Sequence, residues 1–251
     1  MIKNRNIVIV GLQPWDIKIG SNCKNIAIEL SRHNRVLYVN PPLDRSTYLK
    51  GGTNDQIRHR LDVIKGRKPG VEKVMENIWN LTPSHVAESI NWISPPAFFH
   101  MLNKMNNRRL AKDIQRAMHT LAFSDIILMN DQSMIRCFHL REMLRPDLFV
   151  YYIRDNLSTI PYFQKHALAM EHELIRQADV VATNSEYLAE YARKYNSSAR
   201  FVGQGCDFSL YDQPERIKVA DEMLPFPRPV IGYTGFLTAV RLDIGLLEYV
   251  A

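Results

Sequence analysis

The sequence predicts an α/β fold in which a parallel β-sheet is wound with helices on both faces. Two observations carry this. Short apolar runs of about three to six residues recur along the chain, and runs without polar alternation mark strands buried on both faces. Between them lie stretches with helical spacing, the alternation that βαβ units require. Crossovers between parallel strands of one sheet are nearly always right-handed, so the expected result is a Rossmann-like, doubly wound sheet.

In chain order, residues 7–10 (IVIV) read as the first strand and 22–32 as a helix carrying Ile26, Ile28 and Leu30. Residues 35–39 form a second strand, stopped by Pro41 and Pro42, and 78–82 a third. A helix over 110–121 precedes a strand at 126–129. A helix over 134–144 precedes a strand at 148–153, and a helix over 164–177 precedes a strand at 180–183. A helix over 186–194 and a strand at 200–202 close the series, so residues 1–212 are expected to form one domain.

Two segments break this rhythm. Residues 44–70 carry seven basic side chains (Arg45, Lys50, Arg58, Arg60, Lys65, Arg67, Lys68) against three Asp. An insertion of this length more often serves function than scaffold. Residues 213–229 are charged and hold Pro214, Pro225, Pro227 and Pro229, the composition of an interdomain linker. A new strand and glycine turn follow at 230–235, then a helix over 242–250. One strand and one helix bury no core of their own, so residues 230–251 are expected to open a truncated second α/β domain and the chain to be a fragment.

With 46% hydrophobic and 23% charged residues among 251, the composition is that of a globular protein and excludes disorder, collagen and coiled coil. The longest stretch free of Asp, Glu, Lys and Arg is 89–103, broken by Pro95 and Pro96 and too short to span a membrane. The N-terminus lacks the apolar length and cleavage site of a secretory signal, which sets a cytoplasmic expectation. The net charge of +6 suits an acidic ligand or an anionic membrane surface. Cys23, Cys137 and Cys206 are far apart and no Cys/His cluster occurs, so neither a metal site nor a resident cofactor is expected.

In a doubly wound sheet, ligands sit beyond the carboxyl ends of the strands. Six segments there, or opening the next domain, are candidates. Gly20 and Ser21, before the 22–32 helix, would give a phosphate close backbone approach and a helix N-terminus; the bland alternative is a turn capped by Asn22. Asn130 and Asp131 with Gln132 and Ser133 are polar groups suited to sugar hydroxyls, or else caps of the next helix. Arg154, Asp155 and Asn156 put a guanidinium, a carboxylate and an amide at one rim, where Asp155 is the candidate for proton transfer. Thr183 and Glu186 stand at capping-box spacing, which explains that segment by itself. Gly203 to Asp207 reads as a structural turn. Gly235 ends the strand of the second domain, and Arg241 beyond it suits a diphosphate.

The aromatic stretch holding Trp79, Trp92, Phe98 and Phe99 reads as core, with stacking on sugars or resting on lipid as the other option. With the basic insertion it would make a surface for an anionic, lipid-linked acceptor. His166, Glu171, His172 and Glu173 read as a solvated helix face.

Three stretches together look like a glycosyltransferase of the GT-B type, close to the bacterial family 4 enzymes that build teichuronic acid, capsule and exopolysaccharide. They are residues 171–185, with Ala178-Asp179 before a strand ending Thr183-Asn184-Ser185; residues 202–207 (VGQGCD); and residues 231–235 (IGYTG). Gln204 stands where the family usually has Asn, Cys206 where it has Val, and Phe236 where many members have Arg. The resemblance implies two Rossmann-like domains, the N-terminal one holding the acceptor and the other the nucleotide-sugar donor. It places Gly20 and Ser21 against the donor phosphates, with Gly235 and Arg241 across the cleft. Trp15, Asn130, Asp131 and Arg154 fall on the acceptor side. It implies transfer of a hexose from a nucleoside diphosphate sugar to a lipid-linked or polysaccharide hydroxyl, with retention, at the inner face of the cell membrane. On this reading 251 residues alone would be inactive. The alternatives are a nucleotide-sugar epimerase on the same fold and a non-catalytic acceptor- or membrane-binding fragment. Nucleic acid is not an expected partner, for want of any recognised module.

Overall fold

The computed structural model describes all residues except 1, 19, 52–53, 206–217, 228, 231, 234, 236–237, 240–241 and 251. Contacts divide the chain into two units, Met1–Gln204 and Gly205–Ala251.

The first unit is α/β and doubly wound. Its main sheet has eight strands: β1 (Asn6–Gly11), β2 (Arg35–Val39), β4 (Val71–Met75), β5 (Ile78–Leu81), β7 (Ile126–Asp131), β8 (Leu148–Ile153), β9 (Val180–Thr183) and β10 (Ala199–Phe201). Their order is β10-β9-β8-β7-β1-β2-β5-β4. Every pairing is parallel except the last, where β4 folds back antiparallel on β5 with a register shift between Lys73 and Met75. A separate small ladder joins β3 (Leu43–Asp44) to β6 (Val86–Ala87).

Alternation along the central strands splits the core in two. Val8, Val10, Leu37, Val39, Ile126 and Leu128 face one side. There they meet α4 (Pro96–Leu121), α5 (Leu140–Leu144), α7 (Ala167–Gln177) and α8 (Glu186–Arg193). Ile7, Ile9, Val36, Tyr38, Ile127 and Met129 face the other, under α1 (Asn22–Ser31) with its Cys23 and Ala27. Helices on both faces explain why these strands are apolar throughout.

Within the first unit the structure departs from the expected elements in five places. The insertion is not a plain loop: it folds into α2 (Arg45–Lys50) and α3 (Asp55–Ile64), capped by Asp44 and Asn54. Strand β4 was not anticipated, because its half-exposed VEKVM edge pattern lacks an apolar run. Helix α4 is 26 residues long and starts at Pro96, since proline at the first helical position costs no hydrogen bond.

The helix expected over 134–144 is regular only in α5. Asn107 of α4 donates to the Ile135 carbonyl and accepts from the His139 amide, taking backbone groups that a helix would use. Finally, the expected 164–177 helix is broken into α6 (Pro161–Gln164) and α7, and of the residues expected on a solvated face Glu171 is buried while His166, His172 and Glu173 are half-buried. Glu171 is buried among Tyr151, Tyr191 and Gln132. His166 stacks on Phe99 with ring centroids 3.8 Å apart, and His172 stacks on Tyr195.

The second unit contains a 3-10 turn (Asp221–Met223) and α9 (Ile244–Val250). Of the strand expected at 230–235, the described residues Val230, Gly232, Tyr233 and Gly235 lie outside any strand, and the others fall outside the described residues. Residues 213–217 and 228 of the expected linker fall outside the described residues.

Candidate functional site

Connectivity reverses between β1 and β7, which are neighbours in the sheet although the chain passes through β2 to β6 between them. At such a switch point the loops part and leave a crevice at the carboxyl ends. The loop after β1 and the ends of β7 and β8 meet there.

Helix α1 begins at this crevice. Its cap is Ser21 rather than Asn22, in extended conformation, and the Ser21 hydroxyl has no hydrogen-bond partner among the described residues although the residue is 2% exposed. Gly20 before it is exposed, with open space where a Cβ would stand. The first turn of α1 therefore offers unpaired N–H groups beside a free hydroxyl. Asn22 instead donates to the Tyr152 hydroxyl at 2.8 Å; burial pushes that phenol up, with the Asn22 bond opposing.

The loop itself is pinned. The Tyr38 hydroxyl donates to the Gln13 carbonyl, and the Trp15 amide donates to Asn40 Oδ1. Arg60 of α3 grips both carboxylate oxygens of Asp16 at 2.8 and 3.1 Å, and Gln56 donates to the Asp16 carbonyl. The Trp15 ring, expected on the acceptor side, packs edge-on against Tyr38 with Lys24 above it.

Asn130 and Asp131 are the last residues of β7 and not loop residues; both are fully buried. Asn130 Oδ1 accepts from the Ser133 amide at 2.7 Å. Asp131 points toward α1. Its oxygens accept no nitrogen or oxygen donor among the described residues. The weak Cys23 thiol faces it, and Arg154 Nε lies 3.4 Å from Oδ1. Burial pushes the Asp131 carboxyl above the usual range, Arg154 and Cys23 pull it back, and Asp155 adds to the rise. Burial first and Asp131 second push the Cys23 thiol well up, which makes it a packing group and no nucleophile.

Arg154 also reaches Asp155 Oδ2, at 3.8 Å, so one guanidinium stands between a buried and a half-exposed carboxylate. The turn that carries both residues is held by Gln132. Its Oε1 accepts from the Arg154 and Asp155 amides, and its Nε2 donates to the Asp155 carbonyl and to Glu171. Gln132 itself has a positive φ of 50°.

The structure thus brings Gly20, Ser21, Asp131, Arg154 and Asp155 to one rim. Gly235 belongs to the second unit, beside its own Tyr233 ring, and Arg241 and Cys206 lie outside the described residues. Sequence reasoning missed Arg60, whose long-range pair with Asp16 leaves no local signal. It also missed the bracing by Gln132. The cap at α8 is Ser185, which accepts from Leu188, while Thr183 ends β9. Of the insertion's basic residues, Arg45, Arg58, Arg60 and Arg67 are spent on Glu88, Asp55, Asp16 and Asp62. In the aromatic stretch Trp79 packs on Phe123 and Phe99 is buried, whereas Trp92 is 74% exposed. Among the described residues no His, Cys, Asp and Glu cluster fits a metal, and no helix is long and apolar enough to cross a membrane.

No family model matches this chain, and no curated protein does. Solved structures do. A UDP-N-acetylglucosamine 2-epimerase from Rickettsia bellii aligns with 88% of this chain at 13% identity and a TM-score of 0.46. Arabidopsis thaliana UGT89C1, complexed with UDP, aligns with 81% at 12% identity and a TM-score of 0.40. The chain spans 50% of each.

Proposed function

We propose that this chain carries the acceptor-side domain of a GT-B glycosyltransferase of the bacterial cell-envelope type. The enzyme would move a hexose from a nucleoside diphosphate sugar to a hydroxyl on a lipid-linked or polysaccharide acceptor, with retention, at the inner face of the membrane.

The observation that carries the reading is the rim of the β1/β7 crevice. Ser21 and the open N-terminus of α1 form a cradle for the donor diphosphate. Arg154 is held between Asp131 and Asp155 and balances charge there as the diphosphate leaves. Asp155, half-exposed on a turn braced by Gln132, is the group placed to orient or deprotonate an acceptor hydroxyl. Donor contacts from Gly235 and Arg241 belong to the same proposal.

The two carboxylates around Arg154 also favour a second reading, elimination chemistry of the epimerase kind. One assay separates the two. The native-length protein is incubated with radiolabelled UDP-, GDP- and dTDP-hexoses, with and without a lipid extract of its own cells. Label moving to the lipid phase in the wild type, and falling at least a hundredfold in Asp155→Asn, is the expected result. Nucleoside diphosphate release that needs no acceptor and transfers no label overturns transfer in favour of elimination. Transfer that Asp155→Asn leaves intact removes Asp155 from the chemistry.

A further inference from the structure

Beside the charged rim lies a second feature, lined by none of Gly20, Ser21, Asp131, Arg154 and Asp155. A cavity of about 780 Å³ opens at the carboxyl ends of β1, β2 and β7. That volume is in the range of small-molecule sites. Its wall is mostly apolar, with Leu12, Leu110, Met134 and Phe163 among the lining residues and the exposed rings of Trp92 and Tyr162 alongside.

Four charged side chains line it, and three are occupied. Asp44 accepts from the Thr47 amide, the Thr47 hydroxyl and Ser89. Glu88 is held by Arg45 and Arg109. Lys165 donates to the Trp92 carbonyl and to Ser94. The fourth, Arg136, makes no hydrogen bond or ion pair among the described residues; Asp44, Tyr162 and Cys137 act on it only through their fields. Burial pushes its guanidinium below the usual value. Arg136 is half-buried, and a guanidinium on an apolar wall with no bonded partner is open to an anion, which would gain charge-assisted hydrogen bonds there.

The same wall contains polar atoms with nothing to bond. Asn103 Nδ2 and Ser133 Oγ have no hydrogen-bond partners among the described residues, and each residue is 1% exposed. Arg136 owes its position to the turn 134–139, which Asn107 holds out of helical form.

We infer that this cavity binds an amphiphile with one acidic head, Arg136 reading the acid and the apolar wall the body. Where sugar transfer holds, such a ligand is the acceptor; the binding does not depend on it, and the test measures binding alone. The probes are two dyes of similar aromatic body, 1-anilinonaphthalene-8-sulfonate and its uncharged parent N-phenyl-1-naphthylamine.

The wild type is expected to bind the sulfonate at least tenfold more tightly, with energy transfer from tryptophan that falls in Trp92→Phe. Arg136→Met abolishes the preference while leaving the neutral dye bound as before, which also reports an intact fold; Arg136→Lys keeps part of it. Dodecyl phosphate and dodecanoate are then titrated against the bound sulfonate, and the one that displaces it at lower concentration identifies the acid as phosphate or carboxylate. Equal binding of the two dyes, a preference that survives Arg136→Met, or displacement by neither acid overturns the inference.

Discussion

Two buried aspartates of the first unit, one on a helix and one on a strand, differ in what surrounds them. Asp113, on α4, is 6% exposed and saturated: the Ser84 amide and hydroxyl each donate to it at 2.8 Å, and the His85 ring lies 2.8 Å away. Burial alone pushes its carboxyl up, but the His85 and Ser84 bonds outweigh that and hold it below the usual range. Asp131, at the end of β7, is fully buried with only the flank of Arg154 and a thiol for company, and its carboxyl goes up. The first pattern is how a fold uses a buried acid as a tie. The second withholds those bonds at a strand end, where a ligand or a moving proton is served.

The largest expected effect comes from removing the tie. Asp113→Ala leaves three polar atoms of Ser84 and His85 without their partner. It should cost about 3 kcal/mol, some 6–12 °C in Tm. The sign with pH follows from the lowered carboxyl. Its contribution is complete above the unfolded value of about 3.9 and is lost as pH falls through the folded value. Urea unfolding of wild type and variant at pH 7 and pH 3 measures both; a loss under 1 kcal/mol at pH 7 would remove the contrast.

A middle effect tests how tightly the starved acid is enclosed. A Cβ on Gly11 would stand 3.0 Å from Cys23 Sγ and 3.4 Å from Asp131 Oδ2 and the Tyr38 hydroxyl. Gly11→Ala should cost about 2 kcal/mol by overpacking. Combining it with Cys23→Ala should return at least half of that, read as a coupling energy in a double-mutant cycle. Purely additive costs would show that the cluster is looser than its distances say.

The smallest effect, and the sharpest, is Asp131→Asn. Below the carboxylate range both forms are neutral and stability should change by about 0.5 kcal/mol or less. Because the folded carboxyl is raised, the wild type loses stability relative to Asn as pH climbs from about 3.9 through the folded value. Melting curves from pH 3 to 7 should show the gap opening in favour of Asn. A gap that opens the other way would mean that Arg154 outweighs burial, and Asp131 would join Asp113 as a tie.

Much of the framework was legible because burial on two faces writes itself locally. Strands 35–39, 148–153 and 180–183 match the structure residue for residue, as short, mostly apolar runs (RVLYV, LFVYYI and VVAT). The rim was legible in part, since the strand-end rule directs attention to the residues that follow each strand. What was hidden depends on long-range partners. Glu171 looks like a surface residue until Tyr151 and Tyr191 close over it. The 134–139 turn has helical composition, and only Asn107 keeps it from winding. Arg60 reads as one basic residue among seven until Asp16, 44 positions away, turns it inward.

The sequence by itself determined the alternation of strands and helices, and with it the parallel sheet, because apolar periodicity is a property of neighbours a few positions apart. Tertiary structure alone decided which polar groups are satisfied and which are left waiting. That Asp113 has its donors, Asp131 lacks them and Arg136 lines a cavity with no bonded partner among the described residues depends on side chains brought together from distant parts of the chain. The free energy of a buried charge is set by those few ångströms of surroundings, which no local pattern records.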